Sequence, residues 1–378
     1  MPEVVIVGAG VMGASVAWHL ASRGCRDVLV LDRGGSPGSG STGRATGGFR
    51  SQFSTEVNIR LSLRSRDKLR RFREEVGVDP GYQPDGYLFL ARSEEALRQL
   101  RSANGLQHRC GLSEAALISA AEARERNEAI EDDGIIGGAF CPTDGFLRPM
   151  QILNGYTAAA KRLGVRFESG IEVMGVEWEG ERLRALNTSR GRVSGDRFVN
   201  AAGAWASTFG VDVPVVPLCR QVAATVPCDL LPASMPMTIW IDDGFHFRVR
   251  DGRVLFLWPD AAAPGFRAEI EEGWLVTIRA FVAARVPLLA GVSIDLAHCW
   301  AGLYEMSPDR HALVGKTASL TNLYLINGSS GHGVMHAPAL GEAIAEMILD
   351  GDAHSVDVTA LRPGRFAEGA PIHSAELL

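Results

Sequence analysis

The chain has 378 residues, 46% hydrophobic and 22% charged, an ordinary globular composition that excludes a fibrous or disordered protein. Its 38 Lys and Arg against 44 Asp and Glu leave a formal charge of −6, so nucleic acid and anionic membrane are poor partners. Six scattered cysteines without a C-x-x-C pair read as reduced structural thiols. With no leader-like start and no run of roughly 18 apolar residues, the expected compartment is the cytoplasm.

Glu3 begins a short apolar β run, Val-Val-Ile-Val, that ends in glycines. Apolar spacing from Val11 to about Arg23 predicts a helix stopped by Gly24, and Asp27 to Leu31 predicts a second buried strand closing at Asp32. This is a parallel βαβ unit. Residues 34–48 are rich in Gly, Ser and Thr and run into an Arg-rich helical segment, Val57 to Val76, so they read as a functional loop rather than a linker. Tyr82 to Ala91 and Gly134 to Phe140 predict strands flanking a polar helical stretch, Ser93 to Asn127. A helix follows over 150–163, then two strands from Val165 to Trp178 about Gly170, then a strand from Arg197 to Ala202.

The stretch from Val213 to Trp300 is mostly β, with runs at Val213–Val226, Phe245–Val249, Arg253–Trp258 and Asp295–Trp300 and one helix, Glu271 to Ala284. Arg250-Asp-Gly-Arg253 is a hairpin signal. Leu323 to Ile326 predicts a strand, followed by a Gly/Ser loop and a helix from Ala337 to Leu349. The last dozen residues read as a loose terminus.

Gly8-Ala9-Gly10-Val11-Met12-Gly13 is G-x-G-x-x-G in its confirming context, after a strand and opening a helix. The first glycine permits the turn, the second lets a pyrophosphate approach, and the third brings helix and strand together. Free N–H groups and the positive end of the helix dipole then face the phosphates. Asp32 stands where a carboxylate accepts from ribose hydroxyls. The motif means dinucleotide binding and leaves NAD and FAD open.

Four further segments resolve that choice: Gly40-Ser-Thr-Gly-Arg-Ala-Thr-Gly-Gly-Phe-Arg50, Asn200-Ala-Ala-Gly-Ala-Trp205, Trp300-Ala-Gly-Leu-Tyr-Glu-Met-Ser-Pro-Asp309 and Asn327-Gly-Ser-Ser-Gly-His-Gly-Val-Met-His336. Together they resemble the FAD-dependent D-amino-acid oxidase superfamily, in its glycine oxidase, sarcosine oxidase and proline dehydrogenase β-subunit branch. The resemblance runs from Val4 to about Asp350. It implies an α/β fold: a Rossmann-type FAD-binding unit over 1–80, 145–212 and 298–365, and a mixed-sheet substrate unit over 81–144 and 213–297.

The resemblance also assigns residues. Besides the first motif, Asp32 and Arg33, it gives the cofactor Ser41 and Thr42 at the pyrophosphate. Arg44, Thr46, Gly47 and Gly48 run under the flavin, and Val173 lies at the adenine. Ala202, Gly203 and Trp205 form a second phosphate-side loop. Gly331, His332, Gly333, Val334 and Met335 form the loop at the flavin N1/O2 edge, where N–H donors would stabilise the charge of the reduced ring. Gly302 stands at the position of the sarcosine oxidase flavin-linking cysteine, and Arg44 at that of the dimethylglycine dehydrogenase histidine. FAD is therefore expected to be non-covalent, although Cys299 is close by in sequence. No metal is assigned.

For chemistry, the family oxidises an amine α to a carboxylate. Arg50 matches the family's carboxylate-binding arginine, and its planar fork suits a bidentate partner. Met335 replaces a carboxylate-binding lysine and suggests a roomier pocket. His246, Arg248 and Arg250 alternate with apolar residues and project to one sheet face; His246 and Arg248 are expected at the active site, with Tyr304 and His332. Keeping an amine of pKa ~10 neutral at pH 7 costs about 4 kcal/mol, which a base such as His246 or His332 would offset. The first reading is an oxidase of glycine or an N-substituted glycine or secondary amino acid, reoxidised by O₂. The alternative is a dehydrogenase subunit passing electrons to another acceptor or a partner chain, since Lys68, Lys161 and Lys316 all lie outside the motifs.

Overall fold

The structure, a computed structural model, describes residues 1–131, 134–208 and 210–373. It is α/β, as the sequence implies. β1 (Val4–Val7), α1 (Val11–Ser22) and β2 (Val28–Asp32) form the predicted crossover. A six-stranded sheet runs in the order Leu313–Lys316, Leu323–Asn327, Arg197–Asn200, β1, β2, Arg166–Ser169, all parallel except the first strand. Side chains alternate between its faces. Val4, Ile6, Val28 and Val30 face a helical layer of α1, Glu56–Arg70, Pro149–Arg162 and Gly333–Leu349. Val5, Val7, Leu29 and Leu31 face a three-stranded meander, Val173–Glu179, Arg182–Thr188 and Gly191–Ser194.

A second sheet of eight strands has the order Trp300–Met306, Val216–Ala224, Arg253–Leu257, His246–Arg250, Met237–Trp240, Tyr87–Ala91, Gly137–Cys141, Ala116–Ile118. Its single parallel pair joins Met237–Trp240 to Tyr87–Ala91. The helix Glu272–Arg285 buries Trp274 and Ile278 against one face, and Glu94–Arg109 buries Leu97 and Leu100 against the other. Trp300–Met306, read from sequence with the FAD-binding stretches, is hydrogen-bonded along the edge of this larger sheet. The site lies between the two sheets, at the carboxyl ends of β1, β2 and Arg197–Asn200, where open parallel sheets bind ligands.

Several elements differ from expectation. The polar stretch Ser93–Asn127 is two helices, Glu94–Arg109 and Ala120–Arg126, split by the strand Ala116–Ile118. The run expected as a strand over Asp295–Trp300 holds a 3₁₀ turn, Leu296–His298, because the Asp295 carboxylate accepts from Ala297 N, and a strand begins only at Trp300. The last helix starts at Gly333 rather than Ala337, and Pro338 lies inside it. The hairpin signal holds: Arg250 pairs with Arg253 across Asp251 (φ 53°) and Gly252 (φ 72°). The expected loose end is tied down at Ile372, whose N–H donates to Asp309 Oδ2 at 3.0 Å; residues 374–378 of it lie outside the described residues. Among the described residues no helix is long and apolar enough to cross a membrane, and all six cysteines are free.

Candidate active site

A cavity of about 960 Å³ runs from Asp32 and Val173 at one end to Arg50 and His332 at the other, about the upper size for a small-molecule site. At its first end the glycine motif is sterically required. Gly8 has φ +105°, and a Cβ there would sit 2.2 Å from Ala201 O. A Cβ on Gly13 would sit 1.9 Å from Gly8 O. The start of α1 carries no side-chain cap from its own N-cap residue, and Val11 N–H donates to Thr42 Oγ1 at 3.1 Å. Gly10 and Met12 also line this end. Asp32 accepts from Ala9 N and Gly34 N, both at 2.6 Å; each oxygen keeps a lone pair for a ribose hydroxyl. Arg33 lies 4.2 Å over the Trp205 ring, and both line the cavity beside Val173. These residues fit a dinucleotide: a backbone cradle, an uncrowded helix start and an acceptor at the second strand.

The middle is built by the Gly34–Gly48 loop. Ser41 Oγ donates to Leu303 O at 2.6 Å. A Cβ on Gly302 would sit 2.9 Å from Arg44 Cβ, so the arginine packs directly along this glycine. Cys299 does not line the cavity; its thiol meets Asp295 O and Ala224 N. Gly47 takes φ +81°, and a Cβ on Gly48 would sit 2.0 Å from Tyr87 OH. The three polar residues of His246–Arg250 do share a face, yet only His246 lines the cavity. Arg248 lies outside it, a correction to its expected place at the chemistry. Its Nη1 donates to Thr46 O at 3.0 Å and its guanidinium lies 3.5 Å over Phe146, while Arg250 Nη1 donates to Ala45 O at 3.2 Å. Both arginines therefore clamp the loop from behind. Arg248→Met is expected to weaken FAD binding about tenfold, ~1.4 kcal/mol, read by titrating apoprotein and following flavin fluorescence.

At the far end Arg50 is 4% exposed. Its Nη1 donates to Gln52 O at 3.2 Å, and Nη2 lies 3.2 Å from His332 Nε2. Because arginine only donates, His332 Nε2 accepts and Nδ1 holds the ring proton. Phe53 lies 4.2 Å below the guanidinium. Burial lowers Arg50 to about 10, so it stays cationic at neutral pH. His246 Nδ1 lies 2.8 Å from Gly244 O, which places the proton on Nδ1 and leaves Nε2 as an acceptor. Burial first, and then the Arg50 charge, hold His246 near 4. Burial and Arg50 likewise hold His332 well below the usual histidine range. Both rings are neutral at pH 7. Tyr304 lines the cavity against Gly331, where a Cβ would meet its ring at 2.4 Å. The N-cap residue His332 gives the Gly333–Leu349 helix no side-chain cap, and Gly333, Val334 and Met335 line the cavity at its start.

Three residues here escaped the sequence reading. Asp144 is fully buried and accepts from Ser51 N at 2.6 Å and Gln52 N at 3.4 Å, which sets the course of the chain just after Arg50. Arg220 lies 5.8 Å from the Tyr304 ring, with Asp260 Oδ1 at 3.6 Å. Glu305 lines the cavity with a buried carboxyl.

A family model described as DAO, FAD dependent oxidoreductase, matches residues 3–347. The chain belongs to this family. Like its family, the protein is an FAD-dependent oxidoreductase. It is 29% identical to FAD-dependent oxidoreductase domain-containing protein 1 of Xenopus laevis, over 98% of this chain and 83% of that one. It is 27% identical to 4-methylaminobutanoate oxidase (formaldehyde-forming) of Paenarthrobacter nicotinovorans, over 94% of this chain but only 45% of that protein's length. Among solved structures, L-proline dehydrogenase from P. horikoshii matches with a TM-score of 0.91 and 28% identity, covering 98% of this chain and 99% of that one.

Proposed function

We propose that this oxidoreductase oxidises a secondary amino acid, an N-substituted glycine or a proline-like ring, whose carboxylate is bound by Arg50. The observation that carries the reading is the buried, cavity-lining Arg50 guanidinium, held on one side by Gln52 O and His332 Nε2. A guanidinium that lines a cavity offers the planar, bidentate geometry that a carboxylate fits. Two relatives are named for substrates that are secondary amines, L-proline and 4-methylaminobutanoate, which supports an N-substituted substrate over glycine itself.

The bound flavin supplies the two-electron acceptor that takes the α-hydrogen as hydride. The residues named here handle everything else. Arg50 anchors the carboxylate and so turns the α-carbon toward the ring face. The substrate ammonium must lose its proton before the hydride can leave. Held near 4, His246 is too weak a base to keep that proton, so its Nε2 accepts a hydrogen bond that orients the amine while the proton leaves to water. His332 spends its lone pair on Arg50 and fixes the fork. The α-carbon then carries an imine, and water hydrolyses it where the substrate is acyclic. The cofactor is held without a covalent bond, with Gly302 and Arg44 at the two linking positions.

The pH dependence follows. Because both histidines are neutral, the rate of anaerobic flavin reduction should rise with pH as the substrate amine deprotonates, with no inflection near 6.5. An inflection near 6.5 would restore a histidine as the base.

Oxygen as acceptor, giving H₂O₂, accords with the relative named an oxidase. The relative named a dehydrogenase favours a second reading, in which electrons go to another acceptor. Adding glycine, sarcosine and proline anaerobically, then admitting air, separates them. Bleaching by secondary amino acids with fast recolouring and H₂O₂ supports the first, and bleaching that persists in air supports the second. A flavin that no amino acid bleaches contradicts the proposal.

A further inference from the structure

Glu305 takes no part in the chemistry above, yet its carboxyl sits in the cavity wall. Its Oε1 accepts from Ser329 N at 3.3 Å, and its main-chain carbonyl accepts from Ser330 N at 3.2 Å. The residue is thereby fastened to the loop that precedes the Gly333–Leu349 helix. The other oxygen, Oε2, is buried without a hydrogen-bond partner among the described residues. A Cβ on Gly203 would lie 3.9 Å from Oε2, and a Cβ on Gly8 would lie 3.1 Å from Ala202 Cα. Oε2 is therefore next to the loop that flanks the phosphate cradle of the first glycine motif.

An ionised carboxylate here would be disfavoured twice. It would be desolvated with one oxygen unpaired, and it would share the cavity with the negative charges of a pyrophosphate. A neutral carboxyl instead presents an Oε2–H, at an atom that makes no hydrogen bond among the described residues. We propose that Glu305 is a cofactor-binding residue that works as an uncharged acid, its Oε2–H donating to an FAD oxygen beside Gly203, so that binding of FAD takes up a proton from solvent.

Burial pushes the carboxyl up to about 7, although Ser329, Gly328 and Asn327 pull it down. Its neighbour across the sheet is Pro217. The charged side chains of the surrounding elements have partners of their own: Arg220 lies by Tyr304 and Asp260, Arg44 bonds to Ser39 O and Gly40 O, and neutral His332 meets Arg50. Arg310, beyond the strand end, also lines the cavity.

Calorimetric titration of the apoprotein with FAD at neutral pH, in Tris and in PIPES, reads the proton as a buffer-dependent heat. The expected result is uptake of about half a proton, with FAD affinity falling toward tenfold per unit above about pH 7. Glu305→Gln keeps an N–H donor and cannot titrate. It should bind FAD like the wild type at about pH 6, hold that affinity to about pH 8.5 and take up no proton. A pH-independent wild-type affinity with no buffer-dependent heat overturns the proposal. So does a Glu305→Gln variant that still takes up the proton, or one that binds at least tenfold more weakly at every pH, which would make Glu305 an ionised acceptor. If the variant fails to fold, the wild-type heats decide alone.

Discussion

Arg50→Lys is expected to lower kcat/KM for the amino-acid substrate a hundredfold to a thousandfold, about 3–4 kcal/mol of transition-state stabilisation, with FAD content unchanged. Arg50 donates to Gln52 O, lies against His332 Nε2 and lines the cavity. A lysine has a shorter reach and a single ammonium, so it cannot hold those acceptors and grip a carboxylate in two-point geometry. Its charge would also be more strongly hydrated and harder to keep against the Phe53 ring on which the guanidinium lies. The loss should appear in both KM and kcat, because the same grip binds the substrate and aims its α-carbon. Steady-state kinetics with a flavin absorbance check measures this. Activity within threefold of wild type would remove Arg50 from the substrate site.

Gly13→Ala is expected to give a protein purified without FAD, with folding stability reduced by about 3 kcal/mol or more. The added methyl would lie 1.9 Å from Gly8 O, so α1 would have to lift off the turn. It has nowhere to go. On its other side α1 meets the Gly333–Leu349 helix at Gly341, where a Cβ would lie 2.2 Å from Ser15 Oγ. Displacing α1 therefore disturbs both the Gly8–Gly13 turn and the start of the Gly333–Leu349 helix, which line the cavity together. The ratio of flavin to protein absorbance and a thermal melt test this. A yellow protein of unchanged melting temperature would mean that the helix has slack that this packing denies it.

The cofactor end was legible in the sequence because its signals are local. The glycine motif, Asp32 and the Gly/Ser loop each depend on backbone geometry within a few residues. Of the side chains expected at the chemistry, Arg50 and His246 do line the cavity, because each was marked by a single position in a motif or strand. Asp144 was invisible because it acts on Ser51 and Gln52 from 93 and 92 residues away, and an Asp-Gly pair reads only as a turn. Arg248 was misplaced for the opposite reason. Strand alternation gave its face correctly, but periodicity does not say that a loop from residues 45–46 lies against that face and takes up the guanidinium. Tertiary packing also carried the last helix back from Ala337 to Gly333, so that Pro338 lies inside it.

The most direct test of the central claim is anaerobic flavin reduction by proline and sarcosine compared with prolinamide and sarcosinamide, in the wild type and in Arg50→Met. The amides keep the amine and the α-hydrogen but lose the charge that Arg50 is said to hold. The wild type is expected to prefer the acids by a hundredfold or more, about 3 kcal/mol, and the preference should collapse in the variant. Equal reduction by acid and amide in the wild type, or a preference that survives in Arg50→Met, would show that the carboxylate is held elsewhere or not at all.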